Sequence, residues 1–363
     1  MNILERIEKN VPNKLLTRLH EGQKQGIPLL MWGAGSIGHK AFVYLQKNNI
    51  ELSDVFAADD QPNQIFNGKS VLSLKDACAK YSSFNVFIAR VVRNEKGDDL
   101  ECVKNVINKF HIDPAFFFHE ADFDFDYVVS NKDAFSWTYD NLFDDFSKRS
   151  FVEFLNSRIN KVCENIVNFY CEEKYFNDDI IKYSDLETYV DCGVYRNSTI
   201  QKFKEALKRN TIENYDSIYV FESDKLKFDE LRRLSYTTQN LHCINKRAWS
   251  EQTVLNYDPN ALWSMGQEDG RLNIETDTVD NVLNGKKATF IRTSIGGSSF
   301  NVIKGAKDTI SRFRPKLVIT VYCKADEMIT IPQYVKNLIP EYKLYFRFHT
   351  LTSLETVLYA VCE

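Results

Sequence analysis

Glycine and proline are scarce in this chain, at 14 and 8 of 363 residues. That scarcity excludes collagen-like and low-complexity architectures and leaves little room for long flexible linkers. No pair among the eight cysteines has C-x-x-C spacing, so neither a zinc ribbon nor a dithiol redox motif is expected. Cys163 and Cys171, eight positions apart in a helical stretch, make a poor ligand pair, and no metal site is expected. Scattered cysteines without a signal peptide predict reduced thiols in a cytoplasmic protein. No apolar run reaches the roughly 18 residues of a membrane span, so no membrane partner is expected. An excess of positive charge is also missing. With 46 basic and 50 acidic side chains the net charge is −4, which does not supply the basic face that nucleic acid requires. Repeats are absent as well.

What remains is long enough for two cores, because 363 residues exceed one typical domain and 44% of them are hydrophobic. The most informative stretch runs from Tyr189 through Asp191, Gly193 and Tyr195 to Ser198 and Thr199. An apolar run there delivers a carboxylate and a glycine into a tight turn, and a helix opens at Ser198. A second apolar run, Ile218–Phe221, ends on Glu222, 31 positions beyond Asp191. That interval holds a turn, a helix and a strand. A doubly wound sheet builds a nucleotide site in this way: the glycine admits the ligand to the backbone, and the acid accepts ribose hydroxyls. A buried strand with a capping Asp and an unrelated surface Glu would give the same spacing.

The N-terminal third carries a second nucleotide-fold pattern. Residues 3–25 have an amphipathic helical period interrupted by Pro12. A short apolar strand then runs into Gly33-Ala34-Gly35-Ser36-Ile37-Gly38, which opens a helix, and a further strand ends at Asp59, 21 positions after Gly38. Strand, G-x-G-x-x-G and helix in that order are what the dinucleotide fingerprint needs. Gly33, Gly35, Gly38 and Asp59 are therefore candidate ligands of a nucleotide, although the same glycines would serve a scaffold that only packs helix on strand closely. The loop Gly68-Lys69-Ser70-Val71 resembles that of small domains attached to sugar-modifying enzymes. Between the two patterns, residues 116–146 are crowded with aromatics and acids. Alternation over 122–129 predicts an edge strand or extended connection, and a helix is expected from about Ser147 to Cys171. The expected organisation is a Rossmann-like domain at 1–115, a connection and bridging helix at 116–174, and a second α/β domain at 175–363. Both sheets would be doubly wound.

From about Tyr175 onward the chain resembles the FkbM-type S-adenosylmethionine-dependent methyltransferases. The resemblance rests on Asp191-Cys192-Gly193-Val194-Tyr195, Phe221-Glu222-Ser223-Asp224, Asp277-Thr278-Val279-Asp280, Ile291-Arg292-Thr293-Ser294-Ile295-Gly296-Gly297 and Val357-Leu358-Tyr359-Ala360. It implies a class I methyltransferase fold, S-adenosylmethionine held by Asp191, Gly193, Tyr195, Ser198 and Glu222, and O-methylation of a sugar or small-molecule hydroxyl. The chain departs from that pattern where chemistry is expected. The carboxylate-rich strand end of the family reads Ser294-Ile295-Gly296-Gly297-Ser298-Ser299, and the histidine after Tyr322 is Cys323. Ser294 then stands at the reacting centre and His349 is the candidate base, since imidazole is competent near neutral pH. Two alternatives stay open: a methyltransferase-fold binding protein that has lost catalysis, and a nucleotide-sugar-modifying enzyme working from the N-terminal glycine turn. A homo-oligomer is compatible with either.

Overall fold

The computed structural model describes residues 2–8, 14–57, 64–89, 112–113, 123–160, 164–193, 198–257, 272–350, 353 and 355–362. The chain divides into two compact units. The first comprises Met1–Tyr139, Lys148–Glu172 and Arg347–Glu355, and the second Asp140–Ser147, Glu173–Phe346 and Thr356–Glu363.

The first unit is built on strands β1 (Leu29–Trp32), β2 (Asp54–Ala57), β5 (Leu72–Ser73), β6 (Asn85–Ile88) and β7 (Ile112–Asp113), with β3 (Ile65–Phe66) and β4 (Lys69–Ser70) as a separate antiparallel pair. Their order is β5-β2-β1-β6-β7, and the pairings are parallel. β1 is buried along its whole length, as a strand covered on both faces must be. The helix Ser36–Lys47 makes the crossover from β1 to β2. Its apolar stripe, with Ala41 and Leu45 fully buried, packs with Met31, Val55 and Phe87.

Local structure departs from the sequence pattern at three places before residue 170. The N-terminal amphipathic stretch is a 3-10 turn, Ile3–Glu5, followed by the helix Lys14–Lys24; Pro12 lies outside the described residues. The alternating Phe-Asp segment is a helix, Phe125–Ser130, instead of an extended strand. Asp124 caps it by accepting the Tyr127 N–H at 2.8 Å, so the acid that looked like a solvent-facing strand position is a helix start. Phe123 meanwhile packs edge-on against Phe135 and Phe154, with ring centroids 5.9 and 6.1 Å apart. The bridging helix is Asp145–Asn160, followed by a 3-10 segment Glu164–Phe169. Asn160 gives its side-chain amide to Glu8 at 2.8 Å, a tertiary use that suits a residue of low helix propensity at a helix end.

In the second unit a seven-stranded sheet has the order β10-β9-β8-β14-β15-β17-β16. The strands are β8 (Glu187–Cys192), β9 (Tyr215–Phe221), β10 (Leu241–Ile244), β14 (Phe290–Thr293), β15 (Lys316–Thr320), β16 (Lys343–Phe348) and β17 (Thr356–Val361). β8, β9, β10, β14 and β15 pair in parallel, while β17 runs antiparallel to β15. A small sheet of β11 (Arg247–Ala248), β13 (Leu272–Asp277) and β12 (Val254–Tyr257) stands apart from it. Tyr189, Phe203, Phe290 and Phe176 form the aromatic centre of the core, with the Tyr189 and Phe203 rings stacked 4.5 Å apart. Both sheets are thus doubly wound α/β layers, the class expected from the sequence.

Candidate active site

Strand order reverses between β8 and β14, and a doubly wound sheet opens its ligand crevice at the carboxyl ends of such a pair. The register sets Asp191 opposite Arg292 and Cys192 opposite Thr293. Arg292 Nη1 donates to Asp191 Oδ1 at 2.5 Å and to the Gly193 carbonyl at 3.2 Å. The Tyr189 hydroxyl donates to Asp191 Oδ2 at 3.0 Å. Both carboxylate oxygens are therefore taken by protein donors, and Asp191 and Arg292 are 0% and 1% exposed. Asp191 shapes the turn through these partners. Burial opposes the Arg292 charge, but the Asp191 carboxylate and the Tyr175 and Tyr189 rings outweigh it and hold the guanidinium well above its ordinary pKa. Burial and the adjacent carboxylate likewise push the Tyr189 phenol upward, which keeps it a donor.

Tyr175 completes this layer. Its ring lies over the Arg292 guanidinium, 4.0 Å from centroid to carbon, and its hydroxyl is 3.2 Å from Ser294 Oγ. The backbone at Tyr175 is left-handed, with φ 72°, a strained state for an aromatic residue that persists only when surroundings over-determine it. The Tyr359 hydroxyl accepts its N–H at 3.1 Å. Ser294 is thus brought to the end of β14 with a phenol as neighbour and no carboxylate among the described residues bonded to it.

Gly193 has φ 102°, and a β-carbon there would come within 2.7 Å of Ile295 Cγ1 and 2.8 Å of the Ser294 carbonyl. Only glycine fits this turn. Beyond it the helix Ser198–Arg209 begins, and at its first turn Thr199 Oγ1 is buried with no partner among the described residues. Tyr195 lies outside the described residues, and of Ser198 only the backbone is described. Glu222 ends the neighbouring strand β9 and is 9% exposed. Its Oε1 accepts the Asp224 N–H at 2.7 Å, while Oε2 takes no hydrogen bond from the described residues. Burial raises its pKa against the pull of the Asp224 N–H. Asp224 itself caps the helix Lys225–Ser235. A glycine cradle, an unmet hydroxyl at a helix start and a half-free carboxylate on the adjacent strand together fit a nucleoside with ribose hydroxyls and a charged tail.

Asp277, Lys246, Gln252 and Asn281 form a separate polar cluster in the second unit. Burial alone would raise the Asp277 pKa, but hydrogen bonds from Lys246 at 2.8 Å, Gln252 at 3.0 Å and Asn281 at 3.2 Å outweigh it and hold the carboxyl low. This acid joins β13 to the β10–β11 turn and has no oxygen left for a base's role.

His349 belongs to the first unit, whereas Ser294 belongs to the second. Its Nδ1 lies 2.8 Å from the Cys171 carbonyl, so Nδ1 carries a hydrogen donated to that oxygen, and the residue is 4% exposed. In the first unit, Gly33 has φ 119°, and a β-carbon on Gly38 would stand 2.4 Å from the Gly33 carbonyl. These two glycines serve close packing of the helix start onto the strand end. At Gly35 the space is open. Asp59, the expected ribose acid, lies outside the described residues. No cluster of three or more metal-ligating side chains occurs among the described residues, and no helix among them is long and apolar enough to cross a membrane.

Three residues central to this geometry escaped the sequence reading. Arg292 is a lone cation in an apolar strand, a signal that pairing with Asp191 would have explained once strand register was known. Tyr175 precedes the sheet and reaches it only through tertiary packing. Glu327, at the start of the helix Glu327–Leu338, carries no local motif that would single it out.

The strand order and its antiparallel insertion define a class I methyltransferase fold in the second unit. Over nearly its whole length the chain is similar in structure to the methyltransferase FkbM from Methylobacillus flagellatus KT. That likeness has a TM-score of 0.66 at 19% identity and covers 96% of this chain and 94% of that one. Weaker likenesses add no argument: one to a fibrillarin/Nop5p complex (TM-score 0.33, 13% identity, 50% of this chain and 76% of that chain), one to an rRNA methylase from Streptococcus thermophilus (0.29, 13%, 50% and 89%). No family model matches the chain, and no curated protein matches it in sequence.

Proposed function

We propose that the second unit is an S-adenosylmethionine-dependent methyltransferase acting on a hydroxyl of a sugar or other small molecule. The observation that carries this reading is Glu222, whose Oε2 takes no hydrogen bond from the described residues, standing beside the Gly193 cradle at the switch point of a methyltransferase fold. Glu222 would accept the ribose hydroxyls, and the Gly193 turn would admit the cofactor to the backbone. Thr199 Oγ1 would meet a polar atom of the amino-acid tail. When bound, the cofactor supplies a methyl group on a sulfonium, so the chain's contribution is mainly alignment of the acceptor and removal of its proton. Arg292, paired with Asp191 and covered by the Tyr175 ring, also bonds the Gly193 carbonyl and so supports the turn.

Calorimetry with S-adenosylmethionine and S-adenosylhomocysteine tests the binding half of this proposal. Transfer of labelled methyl to free and nucleotide-linked sugars tests the rest. Binding without transfer would favour the non-catalytic alternative, which the carboxylate-free Ser294–Ser299 turn supports. In that event, Ser294→Asp combined with Gly296→Glu is the variant expected to gain activity. Binding of nucleotide sugars but of neither sulfur ligand would move the activity to the N-terminal glycine turn.

A further inference from the structure

Glu327 opens the helix Glu327–Leu338 that follows β15, and the protein satisfies only half of its carboxylate. Oε2 accepts the N–H groups of Cys323 and Lys324 at 3.0 and 3.1 Å. Oε1 is buried with no partner among the described residues, and the whole side chain is 2% exposed. Folded proteins rarely leave such an oxygen unmet, because desolvating it without a hydrogen bond is costly. An oxygen of this kind is best explained by a partner that arrives with a ligand.

Its place in the fold says which ligand. The turn carrying Cys323 and Lys324 leaves the carboxyl end of β15, next to the end of β14. A β-carbon on Gly297 would lie 3.2 Å from Lys324 Cε and 4.0 Å from Cys323 Cβ, so the two turns touch. Ser299 Oγ is 3.2 Å from Thr320 Oγ1, and behind the turns the Phe300 and Tyr334 rings meet edge-on at 5.4 Å. The Ser294–Ser299 turn has no ionisable side chain. A carboxylate missing from one turn is present at the start of the helix that the neighbouring turn leads into.

We propose that Glu327 is a catalytic residue that takes the acceptor's hydroxyl proton on Oε1, in place of the carboxylates absent from Ser294–Ser299. This rests on the methyltransferase reading above. As the acceptor oxygen bonds the methyl carbon and the carbon–sulfur bond breaks toward sulfur, the hydroxyl proton passes to Oε1, and atoms and charge balance. Burial pushes the Glu327 carboxyl up to about 7, against the N–H groups of Lys324 and Cys323 that favour its ionised form. Of the charged groups around it, the Lys324 ammonium lowers the value and the Asp326 carboxylate raises it. A base of that strength combines availability with driving force at neutral pH.

Three measurements on the full chain test this. The first needs no cofactor: the infrared difference between wild type and Glu327→Gln isolates the Glu327 carbonyl band. A protonated-carboxyl band that fades as pH rises through about 7, and shifts when methyl glucoside is added, is expected; a band insensitive to pH and sugar overturns the proposal. The second is S-adenosylmethionine affinity by calorimetry, expected to be within about twofold in wild type, Glu327→Gln and Glu327→Asp. Wild-type protein that fails to bind overturns the methyltransferase reading itself, which distinguishes that failure from this one. The third is labelled methyl transfer to glucose, methyl glucoside and UDP-glucose. Wild-type transfer should fall below pH 7, and Glu327→Gln should lose roughly 10²–10⁴-fold and the acid limb with it. Wild-type binding without transfer to any of these hydroxyls, or Glu327→Gln retaining its rate within threefold, overturns the assignment. Should Glu327→Gln fold poorly, Glu327→Asp, which keeps the acid but withdraws it, must show the same loss with unchanged cofactor affinity.

Discussion

Removing the charge of Asp191 gives the most direct measure of how the methyltransferase-fold unit holds its site together. Asp191→Asn leaves the shape of the side chain but strands the Arg292 guanidinium, which is 1% exposed and donates to Asp191 at 2.5 Å. Breaking one side of a buried ion pair costs about 3–5 kcal/mol, because an uncompensated charge stays in a dry environment. The second Asp191 oxygen also accepts from Tyr189 at 3.0 Å, a bond that an amide oxygen can retain. The expected loss is therefore near 3–4 kcal/mol. For a unit of 150–250 residues each kcal/mol moves Tm by roughly 2–4 °C, so Tm should fall by about 6–16 °C. Arg292→Met alone strands the carboxylate and should cost a similar amount. The double variant should be much milder than the two losses added, since methionine fills the volume and no charge is left. A double-mutant cycle by thermal and urea unfolding measures that coupling. A loss below about 1 kcal/mol for Asp191→Asn, or additive single losses, would show that water reaches the pair and that this layer does not hold the turn.

Four further expectations can be checked together. Glu222→Ala should weaken S-adenosylmethionine binding by roughly 1–3 kcal/mol in calorimetry while leaving the fold intact, the usual loss for a removed hydrogen-bonding partner; unchanged affinity would take Glu222 out of the site. Gly193→Ala should lower stability by about 1–3 kcal/mol and abolish cofactor binding, given its left-handed backbone and the 2.7 Å approach of Ile295. Phe203→Ala should cost about 3–5 kcal/mol, since the ring is fully buried and stacked on Tyr189. Finally, Glu327 is pushed up from 4.5 to about 7, so the folded state binds its proton more tightly than the unfolded chain. Its contribution is complete below about pH 4.5 and is lost as pH rises through about 7, a change on the order of 3 kcal/mol. The stability difference between wild type and Glu327→Gln should follow that window in unfolding experiments; a difference that is flat from pH 4.5 to 7 would contradict it.

The sequence by itself determined the two doubly wound sheets and the place of the candidate site. Apolar runs of strand length, a glycine where φ is positive, and an acid ending the next strand are local requirements. Gly193 and Glu222 could therefore be picked out without knowing any contact. Helix-capping chemistry was local too, but it was ambiguous: Asp124 between two phenylalanines reads equally as a strand position or an N-cap, and only burial of Phe123 against Phe135 and Phe154 decided for the helix. What the tertiary structure alone decided is who partners whom. Asp191 looked free for a ligand, yet parallel pairing of β8 with β14 sets Arg292 directly opposite and occupies its carboxylate. Tyr175 comes to lie 119 positions from Ser294 in sequence and 3.2 Å from it in space, a contact that no local pattern encodes. Glu327 became notable only when packing removed water from one of its oxygens. Conformational preference is written into neighbouring residues, whereas desolvation and charge pairing depend on atoms brought together from distant parts of the chain.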